Sequence, residues 1–178
     1  ELALALSGAF HELGMEAPIV NDPNQISGRP IIFGANLLAN IPSFKLPPGS
    51  IIYNAEQVTL GSTWFKGNYL NMLRDSYVWD YSQSNLRELK KMGVKHTSYC
   101  GLGYSSNLSR IKTADVQDID VLFYGSMNER RKKIIDSLRQ AGLRAGTVFN
   151  CYGEERDGFI ARAKIVINIH YYETKVFE

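Results

Sequence analysis

Hydrophobic and polar positions along this chain come in blocks whose period switches between that of a helix and that of a strand. The opening block places Leu2, Leu6, Ala9, Phe10 and Leu13 on one helical face and closes at Gly14, a residue suited to a helix C-cap. Nothing before Glu1 caps this helix or supplies a strand, so the chain is expected to begin inside an element. Residues 17–20 (APIV) and 29–36 (RPIIFGAN) read as short buried strands. Two further apolar runs have polar ends. Ile51, Ile52 and Tyr53 lead to Asn54, Glu56 and Gln57, while Tyr77, Val78 and Trp79 lead to Asp80, Tyr81 and Ser82. A helix then follows, with a serine cap, apolar Leu86, Leu89 and Met92, and Gly93 as its stop. Residues 94–106 read as a weaker strand and a loop, and residues 107–118 carry no period.

Beyond residue 118 the alternation resumes as strand (118–126), helix (128–142), strand (144–153), helix (154–163) and strand (164–172), with Asn128 as the cap of the first helix and Gly142 as its stop. Parallel strands need a crossover between them, and these helices have the length to supply it. The expected fold class is therefore α/β, with two Rossmann-like domains of mostly parallel sheet. Their expected bounds are 1–108, a linker at 109–118, and 119–178. The first domain lacks a first strand and the second stops short, so the chain reads as a fragment of a longer protein. An unfinished second sheet would expose an edge, and self-association through it is an expectation.

Composition narrows the function classes. With 178 residues, 44% of them hydrophobic, the chain can bury a core as one large or two small domains. Lys plus Arg (20) nearly balance Asp plus Glu (18), which removes the basic field that would suggest nucleic acid. The two cysteines, Cys100 and Cys151, lie far apart without metal-ligand spacing, as expected of reduced thiols in the cytoplasm. No apolar stretch approaches the length of a membrane span. There is no P-loop, no Gly-x-Gly-x-x-Gly and no Gly-x-Ser-x-Gly, so triphosphatase, dehydrogenase and hydrolase readings lack their signatures.

In open α/β sheets ligands bind outside the carboxyl ends of the strands, which directs attention to Asn54, Glu56, Gln57, Asp80, Tyr81 and Asn85 in the first half. In the second half the corresponding residues are Gly125, Ser126, Tyr152, Gly153, His170 and Glu173. The sequence VLFYGSMNERRKKIIDSLRQAG, followed by FNCYGEERDGFIARAKIVINIHYYETKVFE, resembles the donor-binding half of a GT-B type glycosyltransferase, in the branch related to the glycosyltransferase-like spore-maturation proteins. IIYNAEQV, YVWDYSQSNLRELKKMG and GLGY resemble the acceptor-side half of the same group.

The resemblance implies transfer of a sugar from a nucleotide-sugar substrate to a glycan, lipid or protein acceptor, without a separate cofactor. Independence of metal is expected on the reading that no Asp-x-Asp carboxylate pair is there to hold a divalent ion for the diphosphate. Gly125 and Ser126, at a strand-to-helix turn, would let backbone amides and a helix N-terminus approach the diphosphate. Arg130, with Arg131 or Lys132, would add positive charge; the alternative is a solvated helix face. Tyr152 would stack on the base or pack its own loop. His170 would hydrogen-bond sugar or phosphate; the alternative is a buried histidine satisfied by a neighbouring carbonyl. Glu178 matches the second of two glutamates that in the family flank the donor site, where it accepts from the ribose hydroxyls. Glu173 is the other donor-side carboxylate, although only four residues separate the two here, against seven in the family. On the acceptor side, Glu56 would orient a hydroxyl or act as base toward it, with Asn54, Gln57, Tyr81 and Asn85 lining the cleft. Two other readings share this pattern: a binding or scaffold module of the same shape without transfer chemistry, and a flavodoxin-like or receiver-like α/β protein.

Overall fold

The computed structural model describes residues 1–41, 44–58, 65 and 67–171. The chain divides into two compact units, Glu1–Asn107 and Leu108–Glu178. Both are α/β with all-parallel sheets.

In the first unit, strands β1 (Ile31–Phe33), β2 (Ile51–Asn54), β3 (Tyr77–Asp80) and β4 (Thr97–Tyr99) pair in chain order. Between them lie α2 (Ala35–Leu38), α3 (Asn68–Arg74) and α4 (Gln83–Lys91), with α1 (Leu2–Glu12) ahead of β1. The parallel register aligns Ile52 with Val78 and Asn54 with Asp80. Ile52 and Val78 are buried with Leu73 of α3, Leu89 of α4 and Val94 in one continuous core. Ser82 caps α4 by accepting from the Asn85 amide, as its position before the apolar period predicts.

Three local expectations fail here. Residues 17–20 are not a strand: Ile19 and Val20 are exposed, and Pro18 has no N–H to give a ladder. Helices α2 and α3 are not apparent in the sequence, because four and seven residues are too few to show a helical period. Tyr69 and Leu73, four apart on α3, nonetheless bury a shared face against the sheet. Finally, α1 closes at Gly14 as expected, yet Leu13 and Ala9 of its apolar face stay exposed and Gly8 is the residue it buries.

The second unit contains β5 (Ile119–Tyr124), α5 (Glu129–Gln140), β6 (Ala145–Val148), α6 (Gly153–Arg162) and β7 (Ala163–Val166), in the sheet order β6-β5-β7. Successive side chains of β5 point to opposite faces, so Phe123 packs with Ile135 of α5 while Leu122 packs against Phe159 and Ile160 of α6. The chain leaves β5 to one side and returns from β6 to the other. In open α/β sheets a reversal of this kind, at the carboxyl end of β5, is where ligands bind. Asn128 caps α5 by accepting from the Arg131 amide. The last strand is shorter than the apolar run suggests. It begins where α6 ends and stops at Val166, and Ile167 adds one further bond, its amide to Leu122 O at 2.9 Å. His170 therefore stands four residues past the strand and not at its end. Among the described residues no helix is long and apolar enough to cross a membrane.

Leu89 is fully buried, so Leu89→Ala leaves a cavity and is expected to cost about 2–5 kcal/mol in urea unfolding. Leu37→Ala, at a site 62% exposed, is expected to change stability by less than about 0.5 kcal/mol.

Candidate functional site

Two polar clusters form at carboxyl strand ends, one in each unit. In the first unit β2 and β3 terminate side by side in Asn54 and Asp80, both 0% exposed. The Asp80 carboxylate accepts from Asn54 Nδ2 (2.6 Å), the Ser82 amide (2.8 Å) and Asn85 Nδ2 (3.0 Å). Asn54 Oδ1 accepts from the Tyr69 hydroxyl at 2.9 Å, and Asn85 Oδ1 from the Val58 amide at 3.0 Å. Both asparagines also donate to the Glu56 carbonyl, at 2.9 and 3.1 Å. Buried polar groups must be satisfied, and here the satisfaction is mutual.

This corrects the expectation of an open cleft on the first unit. Asn54 and Asn85 are spent on the protein's own backbone and on Asp80, and Tyr81 is buried at 6% exposure. Glu56 and Gln57 remain half-buried at the rim. The sequence reading misses Asn36, on the first turn of α2, whose Nδ2 donates to Glu56 Oε1 at 3.0 Å. Glu56 is thus held by its carboxylate and by its carbonyl.

Burial pushes the Asp80 carboxyl above the ordinary carboxylate range, and the donors from Asn54, Ser82 and Asn85 only partly offset it. Burial likewise raises the Tyr69 hydroxyl, with Glu56 and Asp80 adding to it, and lifts Tyr53 to about 12, where Cys100 and Asp80 contribute less. Tyr53 donates to the Cys100 carbonyl at 2.8 Å and Cys100 N–H donates to Asp80 O at 2.8 Å, tying β4's exit to this cluster.

In the second unit the carboxyl edge is built from the 125–128 loop, the first turn of α5 and the segment after β7. Gly125 has φ 136°, a value that side chains rarely adopt, and its amide donates to Val148 O at 2.9 Å. Ser126 is exposed beside it. Arg130 is half-buried and its Nη1 donates to His170 O at 2.7 Å. Arg131 donates to Ile169 O (2.9 Å) and Ser126 O (2.6 Å). Asn128 Nδ2 donates to Tyr171 O at 2.7 Å. The structure thus brings Gly125, Ser126, Arg130 and His170 together. Tyr152 stands at the N-cap of α6, 74% exposed, with Phe149 (63%) and Tyr124 (41%) also open to solvent in this unit. Glu173 and Glu178 lie outside the described residues.

The amino ends of the same strands carry ion pairs. The expectation that no Asp-x-Asp pair is present is wrong: Asp118-Ile119-Asp120 has that spacing, which can hold a divalent ion, so metal independence loses its support from the sequence. The pair's charges are met by side-chain cations: Arg162 binds Asp118, while Arg144 (2.9 Å) and Lys164 (2.8 Å) bind Asp120. Those partners hold both carboxyls below their usual range. A cavity of about 310 Å³ lined by Asp118, Arg139, Arg144 and Gly146 opens at this end, and one of about 530 Å³ adjoins the starts of β2 and β3. Both lie away from the carboxyl edges. The charges at the amino end neutralise one another, whereas in open α/β sheets ligands bind at the carboxyl edges. Among the described residues no three His, Cys, Asp or Glu side chains gather as a metal site.

No family model and no solved structure matches this chain. It is similar to three proteins of Acanthamoeba polyphaga mimivirus. It is 31% identical over 162 residues to uncharacterized protein L140, covering 88% of this chain and 49% of L140. It is 30% identical over 131 residues to uncharacterized protein L137, covering 70% and 17%. It is 41% identical over 64 residues to uncharacterized protein L138, covering 35% and 7%. The chain thus spans about half or less of each of these relatives.

The raised Asp80 carboxyl fixes a sign for pH dependence. The native state holds this proton more tightly than the unfolded chain, so the stability it contributes is full below about pH 3.9 and is lost as pH rises through the native value. Urea unfolding across pH 4–7 is expected to show stability falling with this slope in the wild type and a flatter profile in Asp80→Asn. At pH 7 the same variant is expected to lose about 1–3 kcal/mol, because an amide cannot accept from all the donors aimed at this site.

Proposed function

We propose that the chain is part of a nucleotide-sugar-dependent glycosyltransferase of the GT-B type, resembling the spore-maturation-protein-like branch, with its donor site at the carboxyl edge of β5 and β7. The observation that supports this most is the convergence of the Gly125–Ser126 turn, Arg130 and His170 on that edge, beside a half-exposed Tyr124. A donor presents a diphosphate and two rings. In this reading the turn backbone beyond Gly125, whose own amide is taken by Val148 O, and the Arg130 guanidinium meet the phosphates, Tyr152 offers a face to the base, and His170 bonds the sugar or a phosphate oxygen.

The chemistry is the exchange of one glycosidic bond for another. The bond from the anomeric carbon to the diphosphate oxygen breaks, that oxygen keeping the electron pair, and an acceptor hydroxyl oxygen bonds that carbon while its proton passes to a carboxylate base or to the leaving phosphate. Charge grows on the leaving phosphate, so cations and amides already aimed there stabilise the transition state more than the ground state. On the first unit Glu56, held by Asn36, is the acceptor-side carboxylate of this reading.

Calorimetry with UDP-, GDP-, ADP-, CMP- and dTDP-sugars tests the proposal. One donor class is expected to bind with Kd below about 1 mM, and Arg130→Ala is expected to weaken it about tenfold, or ~1.4 kcal/mol. Absence of binding by any of them, on this chain and on a longer parent, would sink the transferase reading and favour a scaffold.

A further inference from the structure

We infer that Arg131 is a positioning residue: it ties the segment after β7 to the loop after β5 and thereby sets where His170 stands, and it does not itself meet a ligand's phosphate. What His170 touches rests on the donor-site reading above. The tie does not.

Three consecutive carbonyls after β7 are each taken by a different side chain at the start of α5. Ile169 O accepts from Arg131, His170 O from Arg130 and Tyr171 O from Asn128. The ladder has ended by then, its last bond being Ile167 N to Leu122 O. Side chains of α5 therefore hold this segment where strand pairing no longer does. Within the trio Arg131 has a distinct place. Its Nε bonds Ile169 O, its Nη1 bonds Ser126 O and comes within 3.4 Å of Ser126 Oγ. Its guanidinium carbon lies 5.0 Å from the ring centroids of both Phe123 and Tyr171. One planar group thus joins β5, the loop after it and the exit from β7.

Such a geometry uses the fork and flat faces of arginine, which lysine lacks. A residue that only supplies charge to a phosphate tolerates lysine far better. Arg130 contrasts with it: among the described residues its guanidinium, with five donors, makes one hydrogen bond, to His170 O. Adjacent arginines therefore divide the work, one bound into the scaffold and one oriented by it.

The test compares the full chain with Arg131→Lys and Arg131→Met by hydrogen exchange and by calorimetry with the donor found above. Both variants are expected to speed exchange of the Ile167 amide, the last bond of the ladder, at least about tenfold while the central strand β5 keeps its protection. Both are expected to weaken donor binding by similar factors. Unchanged exchange in Arg131→Met overturns the inference, and so does Arg131→Lys retaining wild-type exchange and affinity, which would mark a direct charge contact. If the wild type binds no nucleotide-sugar, the donor-site reading fails and the exchange data alone decide the tie. Should Arg131→Met not fold, the lysine variant carries the comparison.

Discussion

A parallel strand can be followed by a parallel neighbour only if the chain first crosses back over the sheet. All strand pairs among the described residues obey that constraint. It puts the carboxyl ends of β1 to β4 on one edge and those of β5 to β7 on another, so polar residues far apart in sequence arrive together. Asn54 and Asp80 are 26 positions apart and bonded at 2.6 Å. Arg130 and His170 are 40 apart and bonded at 2.7 Å.

The two edges use this proximity differently. On the first unit the polar side chains turn inward and consume one another: Asp80 is buried among amide donors, and its network locks the turn that carries Glu56. Burial of a carboxylate in this way costs desolvation, so its donors must stay in place for the charged form to be tolerated. On the second unit Arg130 and Arg131 of α5 reach backbone carbonyls, and Ser126 and Tyr124 stay exposed beside them. The first edge is thus a closed polar core, and the second is held by side chains bonded to backbone.

Much of the fold is legible in the sequence. The long period of α5, its Asn128 cap and Gly142 stop, and the serine cap of α4 each follow from local chemistry that tertiary contacts do not override. The apolar runs of β2, β3 and β5 likewise have one good destination, a sheet buried on both faces. Short elements were opaque. Helices α2 and α3 have too few residues for a period, and residues 17–20 have strand-like composition without a neighbour to pair with. Of the candidate site, the place of Gly125 and Ser126 after β5 was readable from the strand's end, whereas His170 stands four residues past β7 and meets Arg130 only through the fold. The burial of Asn54, Tyr81 and Asn85 was not, because a polar residue after a strand looks the same whether it faces water or a buried carboxylate.

The amino-acid sequence by itself determined the α/β alternation, the caps of α4 and α5 and the residue types brought near the strand ends, since these depend on neighbours within a turn or two. Only the tertiary structure decided which of those polar residues are spent on the protein itself. Asn36 meets Glu56 across 20 residues, and Arg131 meets Ile169 across 38, because the crossovers place them there. The allocation of a hydrogen bond to scaffold or to ligand depends on what stands within about 3 Å in space, and spacing along the chain does not encode that distance.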